Sequence, residues 1–178
     1  EIGTTNKTHL YDYERAVSAG AQLLLKVHPS NFHISGFTES VNLTELSRLA
    51  EKSGIPLLYD LGSAFLSEEE KAGPSSGDSV RRAVSAADVV CFSGDKLLGG
   101  GQCGILLGRK IWIDAMKKDP FSRILRVDKM TLSALEQILR LCLDPERARQ
   151  EIPVLRMLHT SPDELRKRAQ DLQKQLQE

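Results

Sequence analysis

Short apolar runs separated by helix-length polar segments constrain this chain more than any other feature. Ile55-Pro56-Leu57-Leu58-Tyr59 and Val89-Val90-Cys91-Phe92 are too short for buried helices and read as strands. Residues 79–87 between them carry a helical pattern. A Leu-Leu-Leu run within residues 22–27 supplies an earlier strand, and residues 103–107 a later one. This alternation predicts βαβ units, hence an α/β fold with a mostly parallel sheet. Open sheets of that kind bind ligands beyond the carboxyl ends of their strands. Two chemically capable residues stand there. Asp60 ends one run, and Lys96 follows the next in Phe92-Ser93-Gly94-Asp95-Lys96-Leu97-Leu98-Gly99-Gly100-Gly101.

Helix signals fill the intervals. Residues 11–19 read as a short helix stopped by Gly20. Asn42-Leu43-Thr44-Glu45 is a capping-box pattern, and it opens a helix with Leu43, Leu46, Leu49 and Ala50 on one face and Gly54 as its stop. Residues 109–118 form a helix bearing Trp112, and residues 74–78 a turn-rich loop. Residues 128–143 make a long amphipathic helix whose apolar stripe is core or subunit interface. Pro145 begins a second helix. Ser161-Pro162-Asp163-Glu164 begins a third, with Ser as N-cap and Pro at the first position. The expected division is residues 1–127 as part of an α/β domain, 128–160 as interface or linking helices, and 161–178 as a linker helix or the start of a C-terminal domain. The first residue is not Met and the last lies inside a helical pattern, so a longer parent polypeptide is expected, with part of the active site upstream.

Composition narrows little. Lys plus Arg and Asp plus Glu are 24 each, so the formal net charge is zero. The charge is unevenly spread: residues 109–149 are rich in Lys and Arg, and Ser67-Glu68-Glu69-Glu70 is acidic. A local basic patch fits this pattern. The 3 cysteines are scattered and odd in number, which suits free thiols in a reducing cytoplasm better than disulfides or a metal site. No apolar run nears the ~18 residues of a membrane-spanning helix, and no signal peptide is visible.

Lys96 is either a solvated charge or a nucleophile. Its neighbours favour the second reading. Ser93 offers a hydroxyl to a phosphate, and Gly99, Gly100 and Gly101 let the backbone approach a ligand or turn amides toward an anion. A P-loop is excluded, because the glycines follow the lysine and no Gly-Lys-Ser/Thr occurs. Asp60 is either a turn aspartate or an ion-pair partner. A lysine that forms a Schiff base and an aspartate that holds a pyridinium nitrogen are what pyridoxal phosphate requires of a protein. Arg123 and Arg126 either share an anion, as guanidinium forks do, or are surface residues served by Asp119 and Asp128. Of the four histidines none has metal-ligand spacing. His28, between a strand and Pro29-Ser30-Asn31, is the best placed to line a cleft.

The chain resembles the bacterial selenocysteine synthase family, the L-seryl-tRNA(Sec) selenium transferases. The matching stretches are Glu1-Ile2-Gly3-Thr4-Thr5-Asn6-Lys7-Thr8-His9, Lys26-Val27-His28-Pro29-Ser30-Asn31-Phe32, Asp60-Leu61-Gly62-Ser63, Phe92 through Gly100, and Arg123-Ile124-Leu125-Arg126-Val127-Asp128-Lys129-Met130-Thr131-Leu132. The resemblance implies a partial large domain of a fold-type-I pyridoxal 5'-phosphate transferase. Lys96 would be its Schiff-base lysine and Asp60 the pyridine-nitrogen partner, with Arg123 and Arg126 holding the selenophosphate-like anion. It further implies a cytoplasmic homo-oligomer built from dimers that converts seryl-tRNA(Sec) to selenocysteinyl-tRNA(Sec) through an aminoacrylyl intermediate. Departures are small for small: Ala64 stands where the family usually has Gly, and Gly101-Gln102-Cys103 where it has Pro-Gln-Ala. The family's tRNA-binding N-terminal region and upstream half-domain are expected to lie outside this chain. Two other readings stay open: a related pyridoxal phosphate enzyme acting on a small amino acid or amino sugar phosphate, and an inactive fragment lacking the upstream half-site.

Overall fold

The computed structural model describes residues 1–4, 6–66 and 77–177. The acidic run at 67–70 and most of the 74–78 loop fall outside the described residues. The elements in chain order are α1 (Leu10–Ser18), β1 (Leu24–Val27), α2 (Leu43–Ser53), β2 (Leu57–Gly62), α3 (Val80–Ala86), β3 (Val89–Ser93), β4 (Gly104–Gly108), α4 (Lys110–Lys118), α5 (Phe121–Ile124), α6 (Lys129–Leu141), α7 (Pro145–Glu151), α8 (Pro153–Leu158) and α9 (Pro162–Gln177).

The strands lie in the order β1-β2-β3-β4. β1, β2 and β3 are parallel, each reached through a helix, while β4 runs antiparallel to β3. The reversal has a local cause. Residues 94–103 form a tight turn closed by the Gly94 amide on the Cys103 carbonyl (2.9 Å), and a link without a crossover helix returns the chain antiparallel.

Leu57, Tyr59 and Leu61 of β2, with Leu24, Val90 and Phe92, point into the main core. Leu43, Leu46, Leu49 and Ala50 of α2 meet them. The expected capping box is formed: Asn42 Oδ1 accepts from the Glu45 amide at 2.9 Å, and Glu45 Oε2 accepts from the Asn42 amide at 3.3 Å. Gly54 ends the helix at φ 67°, where a side chain would be strained. The opposite sheet face is open, with Leu25, Val27 and Leu106 half or more exposed.

The segment after Pro145 departs from the expected single helix. Ile152 ends α7 and caps α8, because Pro153 has no amide to continue the ladder. Phe65, Ala148, Ile152 and Leu155 form a second core cluster at this joint. The stripe of α6 divides. Leu135, Ile138 and Cys142 pack inward, whereas Met130, Leu132 and Leu139 are exposed. In α9 the predicted Ser161 cap accepts from the Glu164 amide at 3.2 Å.

Candidate functional site

Asp60 belongs to a row that crosses the open face of the sheet. Val27, Asp60, Cys91 and Leu106 are successive register partners, so their side chains emerge on one side. Asp60 is the only charged member. Its Oδ1 accepts from the Gly62 amide at 2.8 Å, across an irregularity that breaks the β2–β3 register between Asp60 and Gly62. Its carbonyl accepts from the His28 amide, also at 2.8 Å. The Cys91 thiol hydrogen-bonds Asp60. Burial, then the Asp60 charge and this bond, push that thiol up to about 11. Cys91 is therefore a thiol donor to the carboxylate at neutral pH rather than a thiolate nucleophile.

His28 stands at the end of β1, and its Nε2 lies 2.9 Å from where a Cβ at Gly77 would be. A polar network backs it on the helix side of the sheet. Lys26 Nζ donates to the Val41 carbonyl at 2.7 Å and sits 5.9 Å from the Tyr59 ring centroid. The Tyr59 hydroxyl donates to Asp78 Oδ2 at 3.1 Å, and Asp78 pairs with Arg82 at 3.0 Å. Burial lowers the Lys26 pKa against the pull of Asp78, and burial likewise raises that of Tyr59.

The imidazole of His28 is held below its ordinary range, first by burial and then by Lys26, with Asp78 opposing. The unfolded chain then takes up a proton near pH ~6.5 that the folded chain resists, so the unfolded state binds more protons below that point. Stability is expected to fall as pH drops from 7.5 to 5.5. His28→Gln should flatten that decline in thermal melts at the two pH values. An equal decline in the variant would remove His28 as its source.

Lys96 lies on the turn after β3, exposed, and no ion pair or hydrogen bond engages its amine among the described residues. The turn is tied to the end of β2 by one long-range bond, from the Leu97 amide to Ser63 Oγ at 3.3 Å. Ser63 is the site residue whose role the sequence did not disclose. Its signal was its place, three residues past Asp60 on the same strand exit. Lys96, Ser63, Leu97, Pro153, Val154 and Met157 line a cleft of about 450 Å³, so α8 supplies one apolar wall. Asp60, Ser93 and His28 are not on that cleft. Ser93 ends β3 opposite Gly104.

Two amides of the glycine run are bonded inside the turn. The Gly99 amide donates to the Lys96 carbonyl at 2.9 Å and the Gly100 amide to the Gly94 carbonyl at 2.8 Å, which leaves neither for a ligand. Added Cβ atoms would meet Ile152 at Gly99, the Gly94 carbonyl at Gly100 and Thr131 at Gly101. These glycines let α6 and the α7–α8 joint close onto the lysine turn.

Arg123 lies in α5 and Arg126 just past its cap Leu125; both are exposed. The expected carboxylate partners are engaged elsewhere. Asp119 Oδ1 accepts from the Phe121 amide at 2.9 Å. Asp128 accepts from the Met130 and Thr131 amides and the Thr131 hydroxyl. No described contact joins either arginine to Lys96 or Asp60. Among the described residues no cluster of His, Cys, Asp or Glu could hold a metal ion, and no helix is long and apolar enough to cross a membrane.

Comparison with known proteins bears on this arrangement. Residues 1–178 match the profile of the family described as L-seryl-tRNA selenium transferase (SelA). The chain is 50% identical over 178 residues to an L-seryl-tRNA(Sec) selenium transferase of Alkaliphilus metalliredigens, and 51% identical over 177 residues to one of Moorella thermoacetica. Each alignment takes in 99% of this chain and 38% of the relative, so the chain spans well under half of their length. Among solved structures, a D-glucosaminate-6-phosphate ammonia-lyase superposes with a TM-score of 0.61 at 23% identity, covering 80% of this chain and 35% of that one. A serine palmitoyltransferase from S. paucimobilis with a bound PLP–myriocin aldimine gives 0.53 at 16% identity, over 78% of this chain and 36% of that one. At these identities the likeness is one of fold, the mixed α/β sheet of fold-type-I enzymes.

Proposed function

Because this chain belongs to the L-seryl-tRNA selenium transferase (SelA) family, we propose that it is the lysine-bearing part of an enzyme converting seryl-tRNA(Sec) to selenocysteinyl-tRNA(Sec), with pyridoxal 5'-phosphate as cofactor and selenophosphate as selenium donor. The observation that carries this is the match over all of residues 1–178. Its 50% identity to a transferase, against 23% to the ammonia-lyase, favours the tRNA substrate over an amino sugar phosphate. Residues 1–127 would form part of the cofactor domain, 128–160 interface helices, and 161–178 the start of a further domain or a linker. Free thiols and no membrane-length helix among the described residues support a cytoplasmic setting. The apolar groove of α6, lined by Leu132, Leu135, Leu139 and Leu143, supports assembly of subunits through that face.

The residues present fit the cofactor in their chemistry, although Lys96 opens on a cleft that Asp60, Ser93 and His28 do not line. A carboxylate fixed on an otherwise uncharged sheet row and an amine with no described partner are complementary to a pyridinium nitrogen and an aldehyde. Lys96 would hold the group covalently, Asp60 its ring nitrogen and Ser93 its phosphate, with His28 at the edge. When bound, the cofactor supplies an electron-accepting ring that stabilises negative charge at the substrate α-carbon. Asp60, oriented by the Gly62 amide and Cys91, would favour a proton on the ring nitrogen. The Lys96 amine would take the α-proton of the seryl group and return one, a role worth about 10²–10⁴ in rate. Arg123 and Arg126 neutralise the phosphate of selenophosphate with charge-assisted hydrogen bonds.

The family-length enzyme, loaded with pyridoxal phosphate, should convert radiolabelled seryl-tRNA(Sec) to selenocysteinyl-tRNA(Sec) only when selenophosphate is present. Product formed from free serine or an amino sugar phosphate, and none from the charged tRNA, would reverse the assignment.

A further inference from the structure

Residues 109–149 are rich in Lys and Arg, yet much of that charge is internally neutralised. Arg109 pairs with Asp88 at 3.1 Å, Lys110 with Asp114, Arg140 with Glu136 at 2.7 Å, Arg147 with Glu151 at 2.6 Å and Arg149 with Glu146 at 2.5 Å. Between these pairs lie Lys117, Lys118, Arg123, Arg126 and Lys129. All are exposed and none has a carboxylate partner among the described residues. The two carboxylates within the span, Asp119 and Asp128, accept from the backbone at the starts of α5 and α6 and keep their charge, so they offset two of the five cations and leave an excess of three. In a chain of zero net charge, this is a local excess of positive charge.

Stability does not account for all of it. Lys117 and Lys118 close α4, where the helix dipole favours a cation, but Lys129 opens α6, where the dipole opposes one. Phe121, on α5 amid the five cations, exposes most of its surface. Cations spread over three elements with an exposed aromatic ring among them suit a chain of phosphates with unstacked bases better than one small anion.

We infer that Lys117, Lys118 and Lys129, with Phe121, form a surface for the phosphate backbone of RNA, continuing outward from Arg123 and Arg126. The inference rests on the tRNA-dependent reading above, because an aminoacylated tRNA brings a single-stranded 3' end to the reacting group. The lysines contact phosphates without reading sequence, and Phe121 offers a stacking face.

The test is binding of a fluorescently labelled tRNA by the family-length enzyme, read by anisotropy across a potassium chloride series. Lys117→Glu/Lys118→Glu should weaken binding at least tenfold near ~0.1 M salt and flatten the plot of log affinity against log salt by roughly 0.7–0.9 per lost contact. Lys110→Glu, on the same helix outside the surface, should change affinity less than threefold. Lys129→Gln should weaken binding while leaving Tm unchanged or higher, which a purely structural lysine would not do. Equal losses in patch and control variants, or an unchanged salt slope, would each overturn the surface. Selenium transfer by the family-length enzyme under any of those outcomes would leave the proposed reaction standing.

Discussion

Lys96→Ala, placed in the family-length enzyme, is expected to lower turnover by about 10³-fold or more while leaving the fold intact. Lys96 is exposed and no partner engages its amine among the described residues, so truncating it removes no packing or hydrogen bond. Surface changes of that kind alter stability within about ±0.5 kcal/mol. The loss is therefore chemical: the covalent anchor and the base for the α-proton disappear together. Lys96→Arg should not rescue activity, because a guanidinium stays protonated and cannot take that proton. Melting temperature and tRNA binding, measured beside turnover, separate the two kinds of loss. Activity in Lys96→Ala within tenfold of wild type, at unchanged Tm, would take the reaction away from this residue.

Much of the frame around Lys96 was legible because its causes are local. Asn42 and Glu45 satisfy each other's amides within four residues, and Gly54 supplies its own left-handed stop; neither needs the rest of the chain. The strands read correctly because their apolar runs are short and bounded. What the sequence concealed are relations between distant segments. The Ser63 bond to the Leu97 amide spans 34 positions. The polar network of Lys26, Tyr59 and Asp78 joins three segments that meet only on folding. The antiparallel turn of β4 depends on the missing crossover helix, a signal visible in residues 94–103 but weaker than the βαβ rhythm before it. Asp119 and Asp128 looked like partners for Arg123 and Arg126, yet backbone amides two or three residues away hold them instead. Nearby backbone donors are ordered at lower entropic cost than long flexible arginines.

The glycine run illustrates the same limit and has the largest stability consequence. Gly99→Ala is expected to destabilise the chain by about 2–5 kcal/mol. Gly99 sits at φ 74°, and a Cβ there would lie 2.6 Å from Ile152 Cγ2 and 3.1 Å from Val154 Cγ1. The left-handed conformation costs about 1–2 kcal/mol for a residue with a side chain. Forcing a methyl against Ile152, which is fully buried in the second core cluster, adds about 1–3 kcal/mol. For a chain of this length each kcal/mol is worth roughly 2–4 °C, so Tm should fall by roughly 4–20 °C. Gly54→Ala isolates the backbone part, since Gly54 has φ 67° and open space around its missing Cβ. It should cost about 1–2 kcal/mol. The difference between the two variants measures the contact between the lysine turn and the α7–α8 joint. It also reaches the site, because the Gly99 amide holds the Lys96 carbonyl and any shift that relieves Ile152 displaces the lysine. Equal melting temperatures for the two variants would mean that the joint does not press on this turn.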